Sequence, residues 1–146
     1  MDAAHRLDHL DHLDLVARLG AGLDEGRFDG LRTLLTADAT VTTPGGHAEG
    51  EDAVVAQAAR NHAAGTRYQH RFTDVVTDVL PDGATAHVRA NLTLRVVPSG
   101  ADAPVTEAGS VYRLTTRRTA DGWRIRDLVV EPVWRTGEVP VPVAVR

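Results

Sequence analysis

From Thr66 to Val133 the chain alternates apolar and polar residues in four long runs, separated only by short clusters of turn residues. The run Ala84–Val97 is the plainest. Ala84, Ala86, Val88, Ala90, Leu92, Leu94 and Val96 fall on one side, and Thr85, His87, Arg89, Asn91, Thr93 and Arg95 on the other. A period of two over that length describes a half-buried β-strand, because successive side chains point to opposite faces. The separators are Pro81-Asp82-Gly83, Pro98-Ser99-Gly100-Ala101-Asp102 and Ala120-Asp121-Gly122, all strong turn signals. Links this short favour antiparallel neighbours. The pattern predicts strands at Thr66–Val79, Ala84–Val97, Val105–Thr119 and Gly122–Val133, in an antiparallel sheet with one apolar face to cover.

The cover precedes the sheet. Within Leu10–Asp24, Leu13, Val16, Ala17 and Gly20 recur at helical spacing, with Leu19 and Leu23 widening the stripe. Gly26 is placed to end that helix. Asp29 is a plausible N-cap for a short second helix reaching Leu35. A short strand, Ala39–Thr43, runs into the turn Pro44-Gly45-Gly46. A third helix is predicted over Glu51–Ala63, with Val54, Val55, Ala58 and Ala59 inward and Gly65 just past its end. Helices first and a meander of strands afterwards is an α+β layout, with the helices on one face of a curved sheet. At 146 residues one domain is expected, over residues 1–137. The alternate prolines of Val139-Pro140-Val141-Pro142-Val143 cannot donate to a ladder, so residues 138–146 should form an extended tail.

Composition removes several function classes. A net charge of -4 and a pI near 5.9 argue against a nucleic-acid surface. All 16 basic residues are arginine, which reads as the codon bias of a G+C-rich genome. Without cysteine there is no disulfide, thiolate nucleophile or Cys-based metal site. Met1–His12 is studded with Asp and His, unlike a signal peptide, and no apolar run approaches the ~18 residues that span a bilayer. A cytoplasmic protein without membrane or nucleic-acid partners is expected.

Two placements stand out chemically. Tyr68, His70 and Phe72 share one face of the first long strand, a mostly apolar surface with one titratable group in it. Asp24 lies eight residues beyond Val16 and four beyond Gly20, so it continues an apolar stripe inward. A carboxylate there needs a partner.

The chain resembles the SnoaL-like polyketide cyclases of the nuclear transport factor 2-like superfamily, relatives of scytalone dehydratase and ketosteroid isomerase. The resemblance is carried by Leu23-Asp24-Glu25-Gly26-Arg27-Phe28-Asp29-Gly30-Leu31 and Leu34-Leu35-Thr36-Ala37-Asp38-Ala39-Thr40-Val41, then by Gly50, which opens the third helix. It continues through Tyr68-Gln69-His70, Asp82-Gly83-Ala84-Thr85-Ala86, Asp121-Gly122-Trp123-Arg124-Ile125 and the ending Trp134 to Gly137. It implies a cone-shaped α+β barrel, a curved antiparallel sheet with three N-terminal helices packed on its concave face around a pocket. In scytalone dehydratase-like members an Asp near the end of the first helix meets a His on the strand after the third helix. Asp24 and His70 occupy those positions. A carboxylate bonded to one ring nitrogen leaves the other free to move a substrate proton.

The implied function is therefore a cofactor-free dehydratase, cyclase or isomerase acting on an apolar oxygenated molecule such as a polyketide intermediate. His70 would be the acid/base, Asp24 its orienter and Tyr68 an oxyanion donor. Tyr68, Phe72, Val16, Val88 and Trp134 are the expected pocket walls. The alternative is a non-catalytic binding or assembly module, like the β-subunits of ring-hydroxylating oxygenases that share the fold. Where ketosteroid isomerase-like members carry their Asp base and Tyr donor, this chain has Thr43 and Leu19.

The remaining candidates have ordinary readings. His5, His9 and His12 have a spacing that could hold a metal, but on a solvated helix start no metal site is expected. His87 falls on the polar side of its strand, and His47 in a solvated turn. His62 suits the C-terminal end of the third helix. Trp123 reads as packing. Arg71, Arg89 and Arg95 mark an outer face on which a homodimer would form.

Overall fold

The computed structural model describes residues 1–137; the tail expected at 138–146 lies outside the described residues. Helix α1 spans Ala3–Asp24, followed by a 3₁₀ helix at Asp29–Leu34, strands β1 (Leu35–Thr43) and β2 (Gly46–Glu49), and helix α2 (Glu51–Asn61). Four long strands complete the fold: β3 (Arg67–Val79), β4 (Thr85–Val97), β5 (Thr106–Thr119) and β6 (Gly122–Thr136).

The sheet runs in the order β2-β1-β6-β5-β4-β3. The long strands pair antiparallel, as their short links require, and β4 buries Ala86, Val88, Ala90, Leu92 and Val96 on its inner side. Two expectations change. First, β1 runs parallel to β6, so the sheet is mixed. The hairpin rule governs consecutive strands only, and β1 reaches β6 through the whole chain between them. Secondly, β2 and β3 end the sheet without pairing to each other, so the curved sheet stays open and is not a closed barrel. The second predicted helix is a 3₁₀ helix, and β2 forms a hairpin with β1 around Pro44-Gly45.

Helix α1 begins seven residues before the predicted Leu10. Asp2 caps it by accepting from the His5 N–H at 2.8 Å. Its first turns turn polar residues inward. The Asp8 carboxylate accepts from Trp123 Nε1 at 3.0 Å and from Arg118 Nη2 at 2.9 Å, while the Arg118 guanidinium lies 4.4 Å from the centre of the Trp123 ring. His12 is fully buried, with Nδ1 2.6 Å from the Asp8 carbonyl and Nε2 2.7 Å from Thr116 Oγ1. Burial holds its imidazole below the ordinary value. Apolar periodicity cannot see a helix start held by such partners.

Further along, α1 packs closely on β3 at Gly20. A Cβ there would stand 3.2 Å from the Phe72 ring and 3.4 Å from His70 Cβ. That approach carries the end of α1 over His70. On β3, Asp74 adopts φ 53° within a bulge between Thr73 and Val76, its carboxylate accepting from Thr73 Oγ1 and Asn91 Nδ2. The bulge shifts the inward set by one residue. Tyr68, His70 and Phe72 face in before it, and Val75 and Thr77 after it.

Candidate active site

The last turn of α1 delivers Asp24 to the middle of β3. One carboxylate oxygen of Asp24 stands 2.9 Å from the His70 backbone N–H and 2.6 Å from His70 Nδ1, and the other is 3.1 Å from the same N–H. An ionised carboxylate can only accept, so Nδ1 is the ring nitrogen that donates, and in the neutral tautomer Nε2 is the one left to accept. The His70 side chain is 3% exposed and lines a cavity of about 490 Å³. The structure thus brings together the two residues that the sequence placed 46 positions apart.

His62, just past α2, adds a second imidazole to the same wall. Its Nδ1 donates to the Ala58 carbonyl at 2.7 Å, and its ring centre lies 5.5 Å from that of His70. Burial is the main influence lowering its pKa, opposed by the Ala58 carbonyl and reinforced by His70, so protonation of His62 is disfavoured. The end-of-helix position read from sequence is correct, but the ring turns into the cavity instead of serving as a solvated cation. Tyr68 packs edge-on against His62 at 4.7 Å, and its hydroxyl accepts from the Ala63 N–H at 2.9 Å.

Apolar side chains make up most of the cavity: Leu19, Leu23, Leu31, Val54, Leu92 and Ile125 among them. Thr43 and Leu19 both reach it, so the two positions that bear charge and phenol in ketosteroid isomerase-like proteins are here a hydroxyl and an alkyl group. At the mouth, the Trp134 indole occupies the space beside Gly109. A Cβ on Gly109 would fall 2.0 Å from Trp134 Nε1, so only glycine admits the indole at this register.

Of the five expected walls, Tyr68 and Trp134 border this cavity. Val16 and Val88 do not; both are core residues, and Val88 pairs with Thr77 and Leu114, beyond the β3 bulge. Alternation assigns a face but not a position along the strand, and the cavity takes the Leu92–Leu94 end of β4. Phe72 sits behind the cavity, edge-on to Tyr112 at 5.1 Å. With Val16, Asp24 and His70 it borders a shallower crevice between α1 and β3.

The other histidines are engaged elsewhere. His47 bridges Thr42 and Glu49 on the exposed hairpin, and His87 is exposed on the outer face. His9 contacts Thr77 while His12 is buried, and among the described residues no cluster of three His, Asp or Glu is arranged to hold a metal. No helix of the described residues is long and apolar enough to cross a membrane.

Several cavity residues escaped sequence reasoning, a histidine and a tyrosine among them. His62 lies four residues after the inward Ala58, which is the signal that could have found it. Tyr112 lies on the inner face of β5, two residues beyond Ser110, and both line the cavity.

The model of the SnoaL-like domain matches residues 5–129. The chain belongs to the SnoaL-like family. Among curated proteins no relative matches. Solved structures similar to this SnoaL-like chain include a protein from Novosphingobium aromaticivorans described as a candidate scytalone dehydratase. It is 16% identical, with a TM-score of 0.84 over 99% of this chain and 97% of the other. A type 2 hexachlorocyclohexane dehydrochlorinase is 15% identical, with a TM-score of 0.81 and the same coverage, 99% and 97%. A candidate aromatic ring hydroxylase, also from Novosphingobium aromaticivorans, is 21% identical over 90% and 93%, with a TM-score of 0.78. At such identities the likeness is one of fold.

Proposed function

We propose that this protein is a small, cofactor-free, one-domain enzyme that moves a proton on an apolar oxygenated molecule such as a polyketide or aromatic intermediate. The observation that carries this reading is the Asp24–His70 contact, which makes Nδ1 the donor and leaves Nε2 as the nitrogen that can take a proton, on a residue lining a largely apolar cavity. About 490 Å³ lies within the range of pockets for drug-sized ligands, roughly 300–1,000 Å³. His70 takes a proton from carbon next to a carbonyl, and the electron pair of that C–H bond flows into an enolate. The imidazolium, steadied by Asp24, then returns the proton. Returned to a departing hydroxyl the proton completes dehydration, and returned to another carbon it completes isomerisation. Attack of the enolate carbon on a second carbonyl gives cyclisation, with the proton passing to the new alkoxide.

His70→Gln, with an unchanged circular dichroism spectrum, should lower turnover about 100-fold or more. Unaltered turnover removes His70 from the mechanism, and a ligand that binds without being converted favours the non-catalytic module. A cytoplasmic homodimer belongs to the same reading, joined through the outer face that bears Arg71, Arg89 and Arg95. Light scattering that finds only monomer at micromolar concentration counts against the dimer.

A further inference from the structure

A change of register in β6 decides which side chains close the outer end of the cavity. Ser110 pairs with Pro132 but Gly109 pairs with Trp134, so Val133 is an extra residue without a partner on β5. A bulge of this kind re-aims the side chains that follow it. Unbroken alternation would set Trp134 opposite Ala108 and Arg135 opposite Glu107. Instead the indole meets Gly109, and Arg135 falls opposite Ala108. Ala108 pairs with Leu94, and Leu94 with His70, so Arg135, Ala108, Leu94 and His70 form one row across four strands. All four line the cavity. The row has a guanidinium at the mouth and an imidazole at its other end, with two apolar side chains between. Three strand steps of about 4.8 Å set the two backbones roughly 14 Å apart along the sheet.

Charge gives this row its meaning. Arginine stays charged at every pH a protein meets. Among the described residues that line the cavity there is one arginine, Arg135, and no aspartate or glutamate. On the outer face, by contrast, Arg95 and Arg113 are each held by a glutamate. A wall with one permanent positive charge and no acid complements a ligand with one negative charge. The guanidinium fork matches the two oxygens of a carboxylate. A phosphate monoester, at roughly −1.5 to −2 charges, calls for more cations than this wall supplies. We propose that Arg135 pairs with a carboxylate on the substrate, which makes the substrate class an apolar keto acid whose carboxylate is remote from the reacting carbon. The choice of reacting carbon rests on the proton-transfer reading; recognition of the anion rests on the wall itself. Arg135 touches no reacting atom. It selects the acid over neutral relatives and orients it, with the apolar middle over Ala108 and Leu94 and the acidic C–H toward His70.

Two matched probes test it by calorimetry: 2-naphthoate and 2-naphthamide, the same bicycle with and without the charge. At about pH 8, where an ordinary histidine is neutral, the wild-type protein should bind the acid about tenfold more tightly. Arg135→Gln should abolish that preference and leave the affinity for the amide unchanged. Arg135→Lys should keep part of it, since lysine supplies the charge without the fork. Arg67→Gln removes an exposed charge that does not line the cavity, and should leave the preference intact. A third probe, 2-naphthyl phosphate, should bind no more tightly than the acid. Equal affinity for acid and amide, failure to bind the acid, or tighter binding of the phosphate overturns the proposal. So does a preference that survives Arg135→Gln or is lost in Arg67→Gln. These bindings involve no turnover, whereas the His70→Gln measurement reads turnover alone, so recognition of the anion and the role of His70 can fail separately.

Discussion

Asp24 grips His70 at two points, the backbone N–H at 2.9 Å and the ring Nδ1 at 2.6 Å. The first contact fixes where the strand lies under the helix; the second fixes which ring nitrogen carries the proton. A single carboxylate thus couples the packing of α1 on β3 to the protonation pattern of the imidazole.

That coupling can be read without a substrate. In Asp24→Asn the amide can still accept from the backbone N–H, but its hold on the Nδ1 proton weakens. The ¹⁵N shifts of His70 should report Nδ1–H alone in the wild type and a mixture of tautomers in the variant. Turnover should fall, by up to about 10⁴-fold, the loss seen where an Asp→Asn change frees the tautomer of a general-base histidine. A single tautomer in the variant would show that Asp24 does not set it.

Gly109 and Trp134 give a prediction about the cavity mouth. A methyl group on Gly109 cannot coexist with an indole 2.0 Å away, so Gly109→Ala must displace Trp134. The cost should be about 1–3 kcal/mol, as for other overpacked sites. Trp123 is buried and Trp134 is 46% exposed, so a red shift in emission on substitution would come from Trp134. An unchanged spectrum and unchanged stability would contradict the packing described.

Stability should depend on pH through His12 and His62, both of which burial holds below the ordinary histidine value. Well above the ordinary value of about 6.5 both are neutral in the folded and unfolded chains, and they contribute no slope. As the pH falls through that value the unfolded chain takes up protons that the folded chain refuses, so stability declines until the lower folded values are reached. Denaturant midpoints measured between pH 7.5 and 5.5 should fall with pH. Replacing His12 by Gln should flatten part of the decline, and a midpoint that rises on acidification would refute the assignment.

Much of this was visible in the sequence, for identifiable reasons. The inner face of β4 was legible because its alternation is unbroken from Ala84 to Val96. His70 was legible for the same reason, being upstream of the bulge at Asp74. Its meeting with Asp24 needed the family resemblance, since nothing in a linear pattern brings together residues 46 apart. The start of α1 stayed hidden because Asp8 and His12 occupy inward positions that apolar residues usually fill. The parallel pairing of β1 with β6 was missed because it is made by strands at opposite ends of the chain. Val88 was assigned to the cavity because face is encoded locally, whereas depth along the strand depends on what α1 covers.

Helix α1 is fastened at both ends, through Asp8 to Arg118 and Trp123, and through Asp24 to His70. The two anchors are separated by about 24 Å of helix, at 1.5 Å per residue. Length is consequently a fixed quantity in this segment. One residue inserted or deleted between the anchors would turn Asp24 by about 100° relative to Asp8 and carry its carboxylate away from the imidazole. The turns between the long strands face no such constraint. Relatives that keep the pair should vary in length there, and hold these sixteen helical steps constant.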